Sequence, residues 1–355
     1  MQKLNLSCPV NQTGYGIASF NLLKNLNNQF DITYFPIGQP LIDNQLDYEL
    51  LTSLLSNRLK IDIYAPYIKI WHQFDLLEHI GRGSYYAYPF FELDTFNYNE
   101  KINMSVPDHL FVTSNWAKEI LINNQISKPI TVVPLGVDRN IFSDSLNSNV
   151  SRTNDNYIFL NIGKWEIRKG HDILYKLFND AFPTEEDVEL WVVASEKTNN
   201  YSDANELIKW KNTYSSSRIK IYSGFNTQKE IANVISQSDC GIYPSRAEGW
   251  NMELLETMSM NKPVIATNFS AHTEFCNPDN CFLVDIDSVE KANDGKAFHG
   301  QGNWAKLGQN QYDQIIEHMR YCYKNKIRSN NNGVKTAKLY SWANSSNIIS
   351  RCIYN

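Results

Sequence analysis

The feature that most constrains the fold of this chain is an alternation of short apolar segments with helix-like segments. In the first half, the apolar segments 2–7, 31–35 and 109–114 are separated by segments such as 17–26, which has helical spacing. Strands that alternate with helices are typical of a parallel α/β sheet. A run rich in Ser, Asn and Asp at 143–156 interrupts the alternation, which then resumes. The sequence therefore predicts two doubly wound α/β domains joined by a linker.

The same pattern predicts further strands in both halves. In the first half they lie at 61–64, 68–71, 85–91 and 130–134, and in the second half at 157–162, 190–194, 219–222, 241–243, 264–266 and 281–284. Residues 340–354 have the apolar spacing of a helix. These segments predict an N-terminal domain at 1–145, a linker at 146–156, a C-terminal domain at 157–338 and a final helical segment at 339–355.

Composition and charge narrow the classes of function. The 355 residues are enough for two domains, and a net charge of −5 gives no support for binding to duplex nucleic acid. No stretch approaches the about 18 consecutive apolar residues of a membrane-spanning helix, and the first residues lack the apolar region of a signal peptide. We therefore expect a cytoplasmic protein without a nucleic-acid partner. Peripheral contact with the inner face of the membrane stays open.

The most informative local feature is a strand, a turn and a helix in that order near residue 250. The apolar segment 240–243 leads into the turn 244–251, and a helical segment follows. This order leaves unpaired backbone N–H groups at the helix start, which together with the helix dipole suit a phosphate. The turn carries Glu248, and the helix carries Glu256. Two carboxylates on either side of such a helix start can hold sugar hydroxyls, so the segment predicts a nucleotide-sugar pocket.

The segment from Pro244 to Ala266 reads Pro-Ser-Arg-Ala-Glu-Gly-Trp-Asn-Met-Glu-Leu-Leu-Glu-Thr-Met-Ser-Met-Asn-Lys-Pro-Val-Ile-Ala. It resembles the E-x7-E signature of the retaining GT-B glycosyltransferases, specifically glycosyltransferase family 4. The usual pattern there is P-S-x-x-E-G-F-G-x-x-x-L-E-A-M-A-x-G-x-P-V-I-A, so Asn251 and Asn261 stand where Gly is usual. Asn is the residue other than Gly that most readily adopts a left-handed helix end, which makes the departure at Asn261 mild.

The resemblance covers nearly the whole chain, because 114–117, 134–138 and 340–342 also match pieces of the family. It implies the GT-B architecture, in which two Rossmann-like doubly wound domains face a central cleft and the last helix crosses back to the N-terminal domain. It also implies retaining, metal-independent transfer of a hexose from a UDP- or GDP-linked sugar to a glycan or glycolipid acceptor. Family frequency favours a role in the synthesis of surface polysaccharide or glycolipid.

The resemblance places the cations of the site in the segment from Gly163 to Gly170, which is similar to the family's G-R-x-x-x-x-K-G. Lys164 stands at the position of the Arg, and Lys169 matches the Lys. A departing nucleoside diphosphate carries growing negative charge, which fixed cations stabilise. Lys164 keeps the charge but lacks the fork of Arg, and Arg168 is a candidate to compensate. A solvated basic turn is the alternative interpretation.

The resemblance also assigns roles to the two carboxylates. Glu256 is expected to accept hydrogen bonds from the ribose hydroxyls, and Glu248 is expected to contact the donor sugar near its 3- and 4-hydroxyls. The backbone N–H groups of Trp250, Asn251 and Met252 should face the sugar or the phosphate, and Gly249 in the same turn is a further donor-binding candidate. For Met252, packing in the core is the competing interpretation.

Two glycine-containing loops are weaker candidates for contact with the donor. Gly14 and Gly16 follow the first strand, where the family's glycine-rich loop approaches the phosphate and the acceptor, and a plain tight turn is the alternative. Gly224 and Phe225 end a strand in the region that usually frames the base.

The N-terminal domain offers acceptor-side candidates. Family members commonly carry a His near the donor sugar, and here His72 and Glu92 are the candidates for that position. The aromatic residues Trp71, Tyr85, Tyr86, Tyr88, Phe90 and Phe91 can stack on a sugar ring or pack in the core. The resemblance implies that no metal is bound. The string Asp285-Ile286-Asp287 has the D-x-D form that binds a metal in GT-A glycosyltransferases, but such short strings are common by chance.

Two other functions compete with glycosyl transfer. A dinucleotide oxidoreductase requires G-x-G-x-x-G after a strand, but Gly14-x-Gly16 is followed by Ser19 at the third glycine position. A non-catalytic nucleotide-sugar-binding protein of the same fold is compatible with the departures at Lys164 and Asn251.

Overall fold

A computed structural model shows the chain as two compact units, each built on its own parallel sheet. Unit 1 comprises Met1–Gly136 and Tyr340–Asn355, and unit 2 comprises Val137–Leu339. The structure describes residues 1–42, 44–145, 155–195, 204–222, 225 and 227–354. The predicted linker lies almost wholly outside these residues, so the predicted domain limits stay a prediction. Both predicted doubly wound α/β sheets are confirmed.

The sheet of unit 1 is formed by parallel strands that alternate with helices. The elements are β1 (Gln2–Cys8), α1 (Gly14–Leu26), β2 (Phe30–Pro36), α2 (Gln45–Ser56), β3 (Tyr67–Lys69), β4 (Tyr85–Ala87), α3 (Tyr98–Ser105), β5 (His109–Val112), α4 (Asn115–Asn123) and β6 (Ile130–Val132). The strand order is β2-β1-β3-β4-β5-β6. The direction of winding reverses between β1 and β3, and loops at the carboxyl ends of such strands form the usual ligand crevice of a doubly wound sheet.

Unit 2 repeats this organisation with an added hairpin. The elements are β7 (Tyr157–Lys164), α5 (His171–Ala181), β8 (Val188–Ser195), α6 (Ala204–Thr213), β9 (Ile219–Tyr222), α7 (Gln228–Gln237), β10 (Cys240–Tyr243), α8 (Met252–Ser259), β11 (Val264–Thr267), β12 (Phe282–Val284), β13 (Val289–Asn293), β14 (His299–Ala305), α9 (Gln309–Lys324) and α10 (Asn331–Leu339). The order β12-β11-β10-β7-β8-β9 is parallel, and β13 pairs with β14 antiparallel. The winding reverses between β7 and β10, so their carboxyl-end loops lie side by side.

The apolar core of unit 2 packs around β7 and β10, the strands from which these loops start. Phe159 on β7, Leu174 on α5 and Ile242 on β10 have no exposed surface and belong to one apolar cluster. Full burial of such a side chain contributes roughly 1.5–3 kcal/mol. The loops that leave β7 and β10 therefore start from a rigid base.

The last helix, α11 (Trp342–Tyr354), belongs to unit 1 and packs on α1. Gly136 allows this packing, because a Cβ atom there would lie 2.2 Å from the backbone nitrogen of Trp342. Gln29 donates a hydrogen bond of 3.1 Å to Ser346 and ties the helix to the segment after α1. Within the described residues, no helix is both long and apolar enough to span a membrane.

The predicted strand at 61–64 is wrong. The Asp62 carboxylate accepts a hydrogen bond of 2.9 Å from the Tyr64 N–H, and the Asp62 carbonyl accepts one of 3.2 Å from Ala65. A side chain that bonds its own backbone two residues on favours a turn over a sheet ladder. The segment is therefore a turn that leads from α2 to β3.

Candidate functional site

The turn between β10 and α8 is the centre of the candidate site. It covers residues 244–251, and all of them are buried, as is most of α8. Asn251 caps α8 from a left-handed conformation, with φ 80° and ψ 76°, and its Oδ1 accepts a hydrogen bond of 3.2 Å from the Leu254 N–H. An N-cap of this kind satisfies one of the N–H groups that the helix itself leaves unpaired at its start.

Glu248 is 4% exposed and is surrounded by donors. Its Oε2 lies 2.7 Å from the Arg168 guanidinium, and its Oε1 lies 2.9 Å from Lys169 Nζ and 2.7 Å from the Ser245 hydroxyl. Burial by itself would raise the pKa of Glu248, but the positive charges of Arg168 and Lys169 outweigh it and hold the pKa well below its usual range. Glu248 is therefore an ionised acceptor and not a proton donor.

Arg168 and Lys169 lie in the loop after β7. Arg168 also donates to the Ala247 carbonyl at 2.8 Å and to Glu166 at 2.8 Å, so its fork is bound within the protein. The Arg246 N–H donates to the Arg168 carbonyl at 2.7 Å, which joins the loops after β7 and β10. These bonds place Lys169, which is 7% exposed, against Glu248.

Lys164 and Lys169 differ in their state. Burial would lower the pKa of Lys169, but Glu248 and Glu253 raise it above its ordinary value, so Lys169 is held as a cation. Lys164 ends β7 and is only partly buried; its side chain makes no hydrogen bond or ion pair with the described residues, although its charge contributes to the lowered pKa of Glu166. An ammonium group on a strand end without a hydrogen-bonded partner can bind an anion.

Glycines shape the same loop. At Gly163, a Cβ atom would lie 3.3 Å from the stem of Lys169, which is a tight contact. Gly170 has φ 80°, and a Cβ atom there would lie 2.4 Å from the Pro244 carbonyl oxygen. Only glycine fits this position, because both the conformation and the close approach exclude a side chain.

Glu256 contrasts with Glu248. It lies on α8, is 7% exposed, and its carboxylate makes no hydrogen bond or ion pair with the described residues. Burial, together with the charge of Glu253, raises the pKa of Glu256 well above its ordinary value. A buried carboxylate without a donor is costly, and groups with hydroxyl donors satisfy it.

The remaining predicted donor contacts are less uniform. Gly249 is buried, Trp250 is 4% exposed and packs on Phe275 with ring centroids 4.9 Å apart, and Met252 is buried in agreement with the core interpretation. Phe225 lies beyond β9, with its ring 6.3 Å from that of Tyr222. Gly224 lies outside the described residues.

In unit 1, the predicted glycine loop starts α1. The side chain of Thr13 caps this helix by accepting a hydrogen bond of 3.3 Å from the Gly16 N–H. A Cβ atom at Gly16 would lie 2.2 Å from the Asn11 side chain and 2.4 Å from its carbonyl oxygen. Gly16 is therefore required by the turn itself, whereas Gly14 is exposed at the first position of the helix.

Aromatic side chains collect at the carboxyl ends of β1, β3 and β4 in unit 1. The Tyr15 ring lies 4.4 Å from Phe90, 4.5 Å from His72 and 5.6 Å from Trp71, centroid to centroid. These four residues are partly exposed, and we call them the unit 1 aromatic cluster. The Tyr15 hydroxyl donates to the Phe90 carbonyl at 2.9 Å and accepts from the Phe90 N–H at 2.7 Å, which fixes the ring.

The other predicted residues of unit 1 separate into two groups. Glu92 is partly buried and lies close to the cluster. Burial raises the pKa of Tyr15, and the nearby charge of Glu92 raises it further. Tyr85, Tyr88 and Phe91 are buried and act as core, whereas Tyr86 is partly exposed and stacks on Phe111.

Sequence reasoning missed Ser270 and His272, which support the turn from the segment after β11. Ser270 has φ 52°, and its hydroxyl accepts a hydrogen bond of 2.8 Å from the Glu248 N–H. His272 has no exposed surface and lies 2.9 Å from the Asn251 amide nitrogen. The one sequence feature that indicated such supporting residues was Asn251, because a non-glycine residue at a position where glycine is usual needs support from other side chains.

Comparison with known proteins gives one family and several similar structures. The family described as glycosyl transferases group 1 matches residues 144–323, a range that contains Lys164, Lys169, Glu248 and Glu256. No curated protein matches the sequence.

The similar structures extend over the whole chain. Sucrose-phosphate synthase from Thermosynechococcus elongatus has a TM-score of 0.72 at 14% identity, over 99% of this chain and 98% of its own. HepE from Anabaena in complex with UDP-glucose has a TM-score of 0.69 at 13% identity, over 100% of both chains. The lipopolysaccharide outer core galactosyltransferase WaaB has a TM-score of 0.65 at 15% identity, over 100% of this chain and 99% of its own. Likeness at these identities shows the fold.

Proposed function

The chain belongs to the group 1 glycosyl transferases, and from this membership we propose that it transfers a hexose from a nucleoside-diphosphate sugar to an acceptor hydroxyl. We assign it to the retaining, metal-independent enzymes of glycosyltransferase family 4. The observation that carries the proposal is Glu256 in the middle of α8, a buried carboxylate that no donor of the described residues satisfies. The ribose of a nucleotide supplies two hydroxyl donors, which satisfy such a group.

Glu248 holds the donor sugar in this proposal. A carboxylate has about four lone-pair sites, and Lys169, Ser245 and Arg168 occupy three of those of Glu248. The remaining site on Oε2 accepts one hydrogen bond from a sugar hydroxyl. Because Glu248 is ionised, it contributes orientation and supplies no proton to the leaving group.

The diphosphate leaves toward the cations at the end of β7. Lys164 is free to bind phosphate oxygens, and Lys169 adds a fixed positive charge held by Glu248. Cations already in place stabilise charge that develops in the transition state without reorganisation. The backbone N–H groups at the start of α8 add the positive end of a helix dipole. The bond between the anomeric carbon and the diphosphate breaks, and the acceptor oxygen forms its bond to that carbon on the same face of the sugar. The proton of the acceptor hydroxyl passes to a phosphate oxygen of the donor.

The acceptor contacts unit 1 in this proposal. The unit 1 aromatic cluster lies at the reversal of winding between β1 and β3, and partly exposed aromatic rings there suit the apolar face of a sugar. His72 belongs to this cluster, and Glu92 lies close to it, so both remain acceptor-side candidates. HepE with UDP-glucose and the lipopolysaccharide enzyme WaaB support a UDP-linked donor and a glycan or glycolipid acceptor. We place this activity in the cytoplasm or at the inner face of the membrane.

The test is a turnover assay. Purified protein is incubated with UDP-glucose, UDP-galactose or GDP-mannose and a panel of glycans, and release of UDP or GDP is measured. The proposal expects release with at least one donor and its loss in Lys164→Ala, and the anomeric proton of the product should retain the donor's configuration. Nucleotide binding without release, across the panel, would favour the non-catalytic alternative. An inverted product would refute the retaining assignment.

A further inference from the structure

The turn that carries Glu248 is held from outside by a short helical segment at 270–274, which the proposed reaction does not use. Two bonds fix Glu248 itself: its N–H donates to the Ser270 hydroxyl at 2.8 Å, and its carbonyl accepts from the Ala271 N–H at 3.3 Å. The other end of the turn is fixed through Asn251. Its amide nitrogen lies 2.9 Å from His272 Nε2, and both side chains are buried.

The hydrogen bonds determine the protonation of this network. The Thr267 carbonyl can only accept, so His272 Nδ1, which lies 2.9 Å away, carries the proton. In a neutral ring Nε2 then accepts, and the Asn251 amide donates to it. The amide cannot be turned over, because Asn251 Oδ1 already accepts from the Leu254 N–H. The Thr267 carbonyl, the imidazole and the amide thus form one directed chain of donors and acceptors.

This chain holds a backbone conformation that asparagine adopts at a cost. Asn251 has φ 80°, and Gly is usual at this position of the family pattern. Glycine takes such a conformation without strain, whereas a residue with a Cβ atom persists there only when its surroundings fix it. The Asn251 side chain points at His272 and the helix start, so it is not free to contact a donor.

We propose that His272 is a positioning residue of the donor site, which holds Asn251 in the left-handed conformation and thereby orients the N–H groups of residues 250–252. Asn251 and His272 form a matched pair that replaces the usual glycine. The inference rests on the proposed function for its consequence, because these N–H groups are the ones expected to face the donor. A substitution at His272 should therefore disturb the donor site only while residue 251 depends on it.

The test is a rescue experiment in the full-length protein. His272→Phe keeps a ring of similar size but removes both hydrogen bonds, Asn251→Gly removes the need for support, and the third variant combines them. The affinities for UDP and GDP are measured by calorimetry, and kcat and KM are measured with the active donor. His272→Phe should weaken nucleotide affinity by about 10- to 100-fold, as expected for misplaced contacts. The double variant should bind close to Asn251→Gly alone.

Rescue separates positioning from a purely structural role. The double variant still lacks the bond to Thr267, so it should unfold at a lower temperature than the wild-type protein even though its affinity returns. A double variant as weak as His272→Phe, or a His272→Phe protein with wild-type affinity, would overturn the inference. If His272→Phe does not fold, His272→Asn takes its place, because its shorter amide cannot span from Thr267 to Asn251.

Failure of the proposed function has a different signature. If the wild-type protein binds neither nucleotide, the proposed donor site is refuted. The positioning of the turn by His272 is then tested by a second measurement. Hydrogen exchange of the amides of residues 248–254 then decides, since His272→Phe should accelerate it and Asn251→Gly should restore slower exchange in the double variant. Unchanged exchange in His272→Phe would refute the positioning role.

Discussion

Glu248 and Glu256 are both buried, stand eight positions apart, and have pKa values shifted in opposite directions. Burial acts on both carboxyls, but Arg168 and Lys169 compensate it only at Glu248, whereas the charge of Glu253 adds to it at Glu256. Carboxyls whose environments separate their pKa values in this way have different roles. Glu248 is paired with two buried cations, whereas the Glu256 carboxyl has no hydrogen-bond or ion-pair partner among the described residues.

Glu256→Gln should stabilise the free protein at neutral pH and weaken nucleotide binding. A raised pKa in the folded state means that ionisation opposes folding, so wild-type stability falls as the pH rises above the unfolded pKa of about 4.3. The variant lacks this loss. Thermal unfolding at pH 5 and pH 8 should therefore show a gain in the variant that grows with pH.

The matched control is Glu317→Gln, which removes an exposed carboxylate from α9 in the same unit. Its unfolding temperature should follow that of the wild-type protein at both pH values. Equal behaviour of the two variants would show that Glu256 is not strained in the free protein. A stabilised Glu256→Gln that still binds nucleotide normally would remove Glu256 from the ribose contact.

Glu248→Ala should destabilise the protein by about 3–5 kcal/mol, because it leaves Arg168 and Lys169 without their shared buried partner. The pKa of Glu248 is lowered in the folded state, so its contribution is present above the unfolded pKa and is lost as the pH falls through the folded value. Urea unfolding should show the largest difference at pH 7. Glu253→Gln removes a more exposed partner of Lys169, 3.8 Å away, and should cost less than about 1 kcal/mol. A similar loss of stability in the two variants would contradict the assignment of Glu248 as the main buried partner of Arg168 and Lys169.

Lys164→Ala should lower kcat by about 100-fold or more with little change in stability, because the Lys164 side chain makes no hydrogen bond or ion pair with the described residues and its proposed role is to stabilise the departing diphosphate. Lys164→Arg should keep most of the activity, since the charge remains. Lys176→Ala is the control, as Lys176 lies on α5 in an exposed pair with Asp180. An unfolding temperature that drops as much as the activity would point to a structural role instead.

Stability should fall below pH 6.5 through His171. The side chain has no exposed surface, its ring nitrogens have no hydrogen-bond partner in the described part of the chain, and burial, together with the charge of Lys169, lowers its pKa to about 3. The unfolded chain gains a proton near pH 6.5 that the folded chain does not, which costs up to about 1.4 kcal/mol per pH unit. His171→Phe should flatten the stability profile between pH 6.5 and pH 4, whereas His299→Gln, an exposed change, should leave it unaltered.

The sequence was sufficient for the two parallel sheets, but not for the hairpin of β13 and β14. Alternating apolar segments mark buried parallel strands, and the spacing around Glu248 and Glu256 marks the strand, turn and helix that carry them. The helix α2 escaped prediction because it buries only Leu51 and Leu54, too few for a clear helical stripe. The predicted strand at 61–64 failed because the Asp62 side chain closes a turn.

Support from distant segments was the part that the sequence could not reveal. Ser270 and His272 hold the turn from beyond β11, and nothing in their own spacing indicates a partner near residue 250. The partners of Arg168 also could not be inferred from the sequence. Its sequence position suggests a phosphate ligand, but the fold engages its guanidinium with Glu248 and Glu166. Such relationships depend on which loops the sheet order brings together.

The most direct measurement is thermal unfolding with UDP, GDP, ADP and CMP, in the wild-type protein and in Glu256→Ala. A nucleotide that binds only the folded state adds about 2.7 kcal/mol at a concentration 100 times its dissociation constant. We expect a rise of several degrees in the unfolding temperature for one nucleotide and the loss of this rise in Glu256→Ala. No rise with any nucleotide at millimolar concentration, or an equal rise in both proteins, would contradict the donor site.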